Sequence, residues 1–135
     1  NYCADELFVQ QAGTAAEGAL GILPFAPPSQ ANGDTRDLEA ALKARGRSLE
    51  AIDLHYPQGW YTMAVMADAI AKAVESGKQV TGPAIKAALE SMDPVTTSVT
   101  TAIRFSSDSH QGMRSGRVYQ VKTGTWQALE RVLTP

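Results

Sequence analysis

Apolar residues recur at intervals of three and four along four segments of the chain, which is the spacing of one face of an α-helix. Gly13, Gly46 and Gly77 each follow one of these segments, in the position of a glycine that ends a helix. Asp34 precedes the second segment and Thr81 the fourth, and both supply side-chain oxygens suited to an N-cap. The pattern therefore predicts four helices, at 4–12, 35–45, 58–76 and 82–92.

Two other patterns predict strands. Residues 17–27 form a largely apolar run that stops among prolines, which indicates a buried strand of the parallel-sheet type. Residues 99–105 alternate between apolar and polar positions, which predicts a strand with one buried face. The stretch RVYQVKTGTWQAL, residues 117–129, predicts an antiparallel hairpin that turns at Thr123-Gly124.

The helix at 58–76 gathers several apolar side chains on one face, and we expect that face to point inward: Met63, Met66, Ala67, Ile70, Ala73 and Val74. Helices with apolar faces need a sheet or other helices to cover them. Only one buried strand stands beside the three longer helices, and the other strands come late in the chain. The fold class predicted is α/β, as a fragment with three helices, a buried strand and a C-terminal antiparallel hairpin, whose central strands lie upstream.

Composition narrows the function. The chain has 135 residues, 44% of them hydrophobic, and a net charge of −2, so there is no basic excess to attract nucleic acid. The apolar runs are shorter than the ~20 residues that cross a bilayer. The opening NYCADELF lacks the features of a signal peptide, and we expect it to be the middle of a longer protein.

Signatures of catalysis and metal binding are missing from the sequence. Cys3 is the single cysteine, expected to be partly buried or to pair with a cysteine upstream, and His55 and His110 are far apart, so neither a metal nor another cofactor is predicted. The common nucleophile, phosphate-binding and dinucleotide-binding motifs do not occur. Asp108 and His110 lie among serines, but in a polar connection between strands we interpret them as solvated turn residues.

Two places remain as a candidate binding site. The first turn of the long helix carries Tyr56, Gln58, Trp60 and Tyr61, and Asn1-Tyr2 precedes the first helix. Helix starts in open α/β proteins face ligand clefts, and rings combined with an amide offer apolar walls with a few directed hydrogen bonds. The alternative is that Trp60 and Tyr61 only pack beneath a loop.

Four stretches in order resemble the C-terminal portion of the branched-chain amino-acid family of ABC-transporter solute-binding proteins. They are AGTAAEGALGILPFAP, HYPQGWYTMAVMADAIAKA, TGPAIKAALESM and IRFSSDSHQGMRSGRVYQVKTGTW, and they cover nearly the whole chain. The resemblance implies two α/β lobes joined by a hinge, with ligand bound in the cleft and the closed form docking on a membrane permease. It also implies binding without catalysis and an extracytoplasmic location.

The resemblance also assigns segments and residues. Residues 1–25 would end the central part of the second lobe, 26–92 would return to the first lobe, and 93–135 would return to the second. Asn1 and Tyr2 match a ligand-contacting loop of the second lobe, while Tyr56, Gln58 and Trp60 fall at the cleft face of the first. Relatives often have an acidic residue at the position of Asn1, where it pairs with the ligand's ammonium. Asn1 is neutral, so an amino acid or an aromatic or keto carboxylate remains open, and Asp5 is an alternative acidic partner.

Other functions stay open at this point. A ligand-sensing domain of a signalling receptor uses the same two-lobed fold, and a small standalone enzyme would need an acid–base pair that the sequence does not show. For the chain by itself, bare helix faces predict either an intertwined homodimer or a retained N-terminal portion, with little affinity for ligand alone.

Overall fold

The structure, a computed structural model, describes residues 3–28, 35–77, 79–97 and 99–134. Its α-helices and strands follow along the chain as α1 (Glu6–Ala12), β1 (Leu20–Leu23), α2 (Arg36–Lys43), α3 (His55–Glu75), α4 (Gly82–Ser91), β2 (Gly116–Lys122) and β3 (Thr125–Leu133). Short 3-10 turns lie at Gly13–Ala16 and Leu49–Ala51. This mixture of helices and strands agrees with the predicted α/β class. Among the described residues, no helix combines the length and the apolar character needed to span a membrane.

The three strands form one antiparallel sheet in the order β1-β2-β3. The predicted hairpin is confirmed, because Val121 pairs with Trp126 across a turn in which Thr123 and Gly124 both have positive φ, 52° and 74°. The Glu17 carboxylate closes this turn by accepting hydrogen bonds from the backbone N–H groups of Thr123 (3.0 Å) and Gly124 (3.3 Å). The sheet therefore joins an early segment of the chain to its last one.

Helix α1 is attached to the hairpin through Trp126. The indole N–H of Trp126 donates to the backbone carbonyl of Asp5 (2.9 Å), and its ring stacks on Phe8 with 6.1 Å between centroids. A Cβ on Gly21 would lie 2.8 Å from Ala4 and 3.1 Å from the Trp126 ring, so β1 has no room for a side chain where the indole crosses it. A glycine is required at this contact between α1, β1 and β3.

Two strand predictions need correction. Strand β1 is buried on one face only, with Leu20 66% and Ile22 51% exposed, and it pairs antiparallel with β2. Residues 99–105 do not form a regular strand, because Thr100 bridges Phe25 while Ile103 bridges both Val95 and Met113. Residues 99–105 thus pair with several different segments, and none of the described segments runs beside them long enough to form a ladder.

The helix predictions are confirmed to within a few residues. Thr81 caps α4 by accepting from the Ala84 N–H (3.4 Å), while Asp34, the other predicted cap, lies outside the described residues. Glu90 of α4 accepts a hydrogen bond from Lys86 of the same helix (2.6 Å) and lies 2.7 Å from His110 Nε2 in the segment that follows α4. Hydrogen bonds from Lys86 and then His110 lower the pKa of the Glu90 carboxyl.

The inward face of α3 agrees with the prediction at Ala73, which is buried, and differs from it at the other predicted residues. The structure buries a stripe four residues apart, namely Tyr61, Val65, Ala69 and Ala73, and leaves the neighbouring stripe exposed, namely Met63, Met66, Ile70 and Val74. Ala69 and Ala73 pack against Ala88 of α4, where small side chains let the two helices approach closely. The larger apolar side chains have no comparable surface among the described residues, since Met63 is 65% and Val74 57% exposed.

We expect this exposed stripe to make the 135-residue chain self-associate when it is produced alone. Light scattering should give a mass above that of the 14.4 kDa monomer. The double variant Met63→Lys/Val74→Lys should shift the mass toward the monomer because it places charge within the stripe.

The control adds the same two charges elsewhere on α3, as Ala64→Lys/Ala71→Lys, at exposed alanines outside the stripe. The control should associate like the original chain. A well-folded 14.4 kDa monomer that melts cooperatively, without any substitution, would contradict the expectation.

Candidate functional site

The first turn of α3 divides the predicted side chains between two sides of the helix. Tyr56 and Trp60 are four residues apart, so they share a face, and both are half-buried against the main hydrophobic core. Gln58 is also half-buried but lies nearly opposite them around the helix axis. Pro57 and Tyr61 are buried. The structure therefore brings Tyr56 and Trp60 together and places Gln58 apart from them.

Three side chains at the start of α3 keep their polar groups free of hydrogen bonds with the described part of the chain. The Tyr56 hydroxyl, the Gln58 amide and the Trp60 indole N–H have no hydrogen-bond partner among residues 3–28, 35–77, 79–97 and 99–134. None of these three groups belongs to the buried polar atoms without a partner, so they reach solvent at the edge of an aromatic surface. Such an edge can hold the apolar part of a small molecule and direct its polar groups.

A carboxylate from α1 also reaches the start of α3. Glu6 Oε2 accepts a hydrogen bond from the Leu54 backbone N–H at 3.0 Å, although 48 residues separate the two. That N–H lies at the N-terminus of α3, where the helix dipole favours negative charge. The second oxygen, Glu6 Oε1, is buried and has no hydrogen-bond partner in the described part of the chain. Sequence analysis missed Glu6, because only the tertiary contact shows that it meets α3.

The other predicted second-lobe residues have different outcomes. Asn1 and Tyr2 lie outside the described residues. Asp5, the alternative acidic partner for a ligand, is the N-cap of α1 and accepts from the Phe8 N–H at 2.8 Å. This capping role accounts for the position of the Asp5 carboxylate without any contact to a ligand. Cys3 is a free thiol and is exposed, in contrast to the expected partial burial.

A cavity of about 780 Å³ lies between α1 and the hairpin turn. Glu6, Val9, Thr14, Glu17 and Trp126 are among its lining residues, and its walls are mainly apolar. Tyr56, Gln58 and Trp60 do not line it. Glu6 thus lines this cavity and also contacts the start of α3.

The polar loop does not assemble a catalytic pair. His110 is committed to Glu90, and Asp108 accepts from the neighbouring Ser107 hydroxyl at 3.2 Å. Within the ranges that the structure describes, no group of three His, Cys, Asp or Glu side chains could hold a metal ion. The interpretation of Asp108 as a solvated turn residue agrees with its exposed position.

Comparison with known proteins gives a consistent result. The model of a family described as periplasmic binding protein matches residues 2–125. A crystal structure of a branched chain amino acid ABC transporter from Thermus thermophilus with bound valine superposes with a TM-score of 0.82 at 23% identity, over 98% of this chain and 37% of that one. An ABC transporter substrate binding protein from Aeropyrum pernix gives 0.71 at 24% identity, over 97% of this chain and 36% of that one. No curated protein matches significantly.

These similarities show the fold of the chain and how much of the solved proteins it covers. The chain spans just over a third of the length of both solved proteins. The matching family is described as periplasmic binding protein and the Aeropyrum pernix protein as a substrate binding protein, and neither description is that of an enzyme.

Replacement of Glu6 tests how α1 is held at the start of α3. Glu6→Ala should lower the free energy of unfolding by about 1–3 kcal/mol, because the Leu54 N–H loses its acceptor. Glu6→Gln should lose less, since the amide keeps a carbonyl acceptor. Urea unfolding of the two variants measures the difference.

The matched control is Glu75→Ala, which removes an exposed carboxylate from the far end of α3 and should change stability little. If Glu6→Ala were as stable as this control, Glu6 would have no structural role at the helix start.

Proposed function

Because the chain belongs to the periplasmic binding protein family, we propose that it is part of an extracytoplasmic solute-binding protein for ABC-type uptake of a small carboxylate or amino acid. The observation that carries this proposal is the start of α3, where the half-buried rings of Tyr56 and Trp60 share one side and Gln58 lies on the other, and where the polar groups of these three side chains have no hydrogen-bond partner among the described residues. A membrane permease is the proposed partner. The rest of the binding site belongs to parts of the protein beyond this third of the fold.

Tyr56, Gln58 and Trp60 are proposed as ligand contacts of the first lobe. The Tyr56 hydroxyl and the Gln58 amide can each donate to a carboxylate oxygen, and the rings of Tyr56 and Trp60 can cover an apolar side chain. Asn1 and Tyr2 are proposed contacts from the second lobe. A ligand that touches both lobes stabilises the closed form, because its contacts are complete only there.

The division into lobes is proposed as residues 1–25 and 93–135 in the second and 26–92 in the first. The sheet supports it, since β1 from the first segment pairs with β2 from the last. The helices support it as well, since α3 and α4 share a hydrophobic cluster of their own, formed around Ala69, Ala73 and Ala88. Glu6 of the second-lobe segment contacts Leu54 of the first, so this hydrogen bond would cross between lobes.

Substitution of Tyr56 and Gln58 tests the proposed site. In the complete protein, Tyr56→Ala/Gln58→Ala should weaken ligand binding by at least about 1–3 kcal/mol, because each removes a partner for a buried polar group of the ligand. The fold should survive, since neither side chain is fully buried. Calorimetry measures the affinity.

Gln11→Ala is the control, because it removes an exposed amide from α1. It should leave the affinity unchanged. An unchanged affinity in the double variant as well would remove Tyr56 and Gln58 from the binding site.

The ligand class can be tested separately. Asn1 offers no negative charge to an ammonium group, so a carboxylate without an amino group should bind the complete protein at least as well as leucine. Thermal-shift measurements with branched-chain amino acids and with aromatic and keto acids provide the comparison. A clear preference for the amino acids would show that another acidic group replaces the missing partner.

A further inference from the structure

The segment after α4 forms a recess that the solute-binding proposal does not use. It is lined by the two arms of residues 102–115 and by Thr134 after β3, and it has a volume of about 470 Å³, with Arg104, Ser106, Asp108, Ser109 and Arg114 among its lining residues. None of the residues at the start of α3 lines it. The recess is therefore a separate place on the molecule.

Backbone hydrogen bonds hold the two arms in register. Arg104 N–H donates to the Gly112 carbonyl at 2.8 Å, and Ile103 bridges Met113. At the tip, Ser106 and Ser109 form a tight turn in which each backbone N–H donates to the other's carbonyl, at 3.0 and 3.3 Å. This pairing places Arg104 on one arm and Arg114 on the other, so that both border the same recess.

The charges in the recess are not balanced. Arg104 and Arg114 are exposed, and neither guanidinium has an ion pair or hydrogen bond within the described ranges. Asp108 is the carboxylate among the described residues that line the recess, and it accepts a hydrogen bond from the Ser107 hydroxyl. In this described lining two cations stand against one anion, although the whole chain carries a net charge of −2.

The hydroxyl groups of Ser106 and Ser109 are further hydrogen-bond donors beside the two arginines. The oxygen of Ser106 accepts from the Ser109 N–H (3.1 Å), and that of Ser109 accepts from the Gln111 N–H (3.3 Å). Each hydroxyl hydrogen then remains available to a further acceptor. A guanidinium presents paired N–H groups that match the oxygens of carboxylate and phosphate.

We propose that this recess binds a small oxyanion, a phosphate or carboxylate group, between Arg104 and Arg114 with donation from the serine hydroxyls. The site is independent of the solute cleft, so it adds a second ligand to the molecule. The negative charge of Asp108 repels the anion and lowers its affinity for the recess.

Inorganic phosphate and acetate are the probes, titrated into the full chain at constant ionic strength so that general screening does not change. Arg104→Ala and Arg114→Ala should each weaken phosphate binding by about tenfold or more, as expected for a lost charge-assisted hydrogen bond. Asp108→Asn should strengthen it. Arg104→Lys should fall between, because it keeps the charge but loses the paired donors.

Arg47→Ala is the matched control, since it removes an exposed arginine outside the recess. It should bind phosphate like the original chain. Amide spectra of the unsubstituted chain should show shifts that concentrate at residues 104–115. No saturable binding of either probe, equal weakening by Arg47→Ala, or shifts spread over the surface would overturn the proposal.

Discussion

The rest of the structure depends on how α3 packs. Within the described ranges, this helix contributes to the main hydrophobic core and also to the smaller cluster that it shares with α4. Its first turns join the main core through Tyr61, while its second half packs on α4 through Ala69 and Ala73. Small side chains along the second half let α4 come close, and this approach fixes the rotation of the whole helix. Once that rotation is set, Met63 and Val74 of the larger apolar stripe are left exposed, and the start of the helix presents Tyr56 and Trp60 to the core.

The features predicted correctly from the sequence are those that depend on near neighbours. Thr81 caps α4 by accepting from an N–H only three residues along the chain, and Thr123-Gly124 forms a turn with two positive φ angles. The features predicted wrongly depend on what lies across the structure. Residues 99–105 alternate like a strand, but they form bridges to three different residues. The exposed stripe on α3 has the pattern of a core face, but the helix packs on α4 through alanines instead. Periodicity shows that a helix has an apolar face, but the partner decides which face is buried.

The candidate site shows the same division. Tyr56, Gln58 and Trp60 could be proposed as ligand contacts because the sequence places two rings and an amide at a predicted helix start, and their position on α3 follows from the helix itself. Their division between two sides also follows from helical geometry, once the start of α3 is placed at His55. Glu6 could not be found in this way, because its link to Leu54 spans 48 residues and only the folded chain creates it. Its unpartnered oxygen is a property of the surroundings and not of any motif.

The contact of Trp126 with α1 has a mechanical consequence. The indole stacks on Phe8, donates a hydrogen bond to the Asp5 carbonyl and packs closely against Gly21. This one side chain therefore connects α1, β1 and the hairpin. An element held in this way cannot slide or pivot by itself without breaking a ring contact and a hydrogen bond together. These parts must then move as one rigid unit, and any bending of the chain has to be absorbed in the backbone that leaves the sheet, after Leu23 and before Gly116.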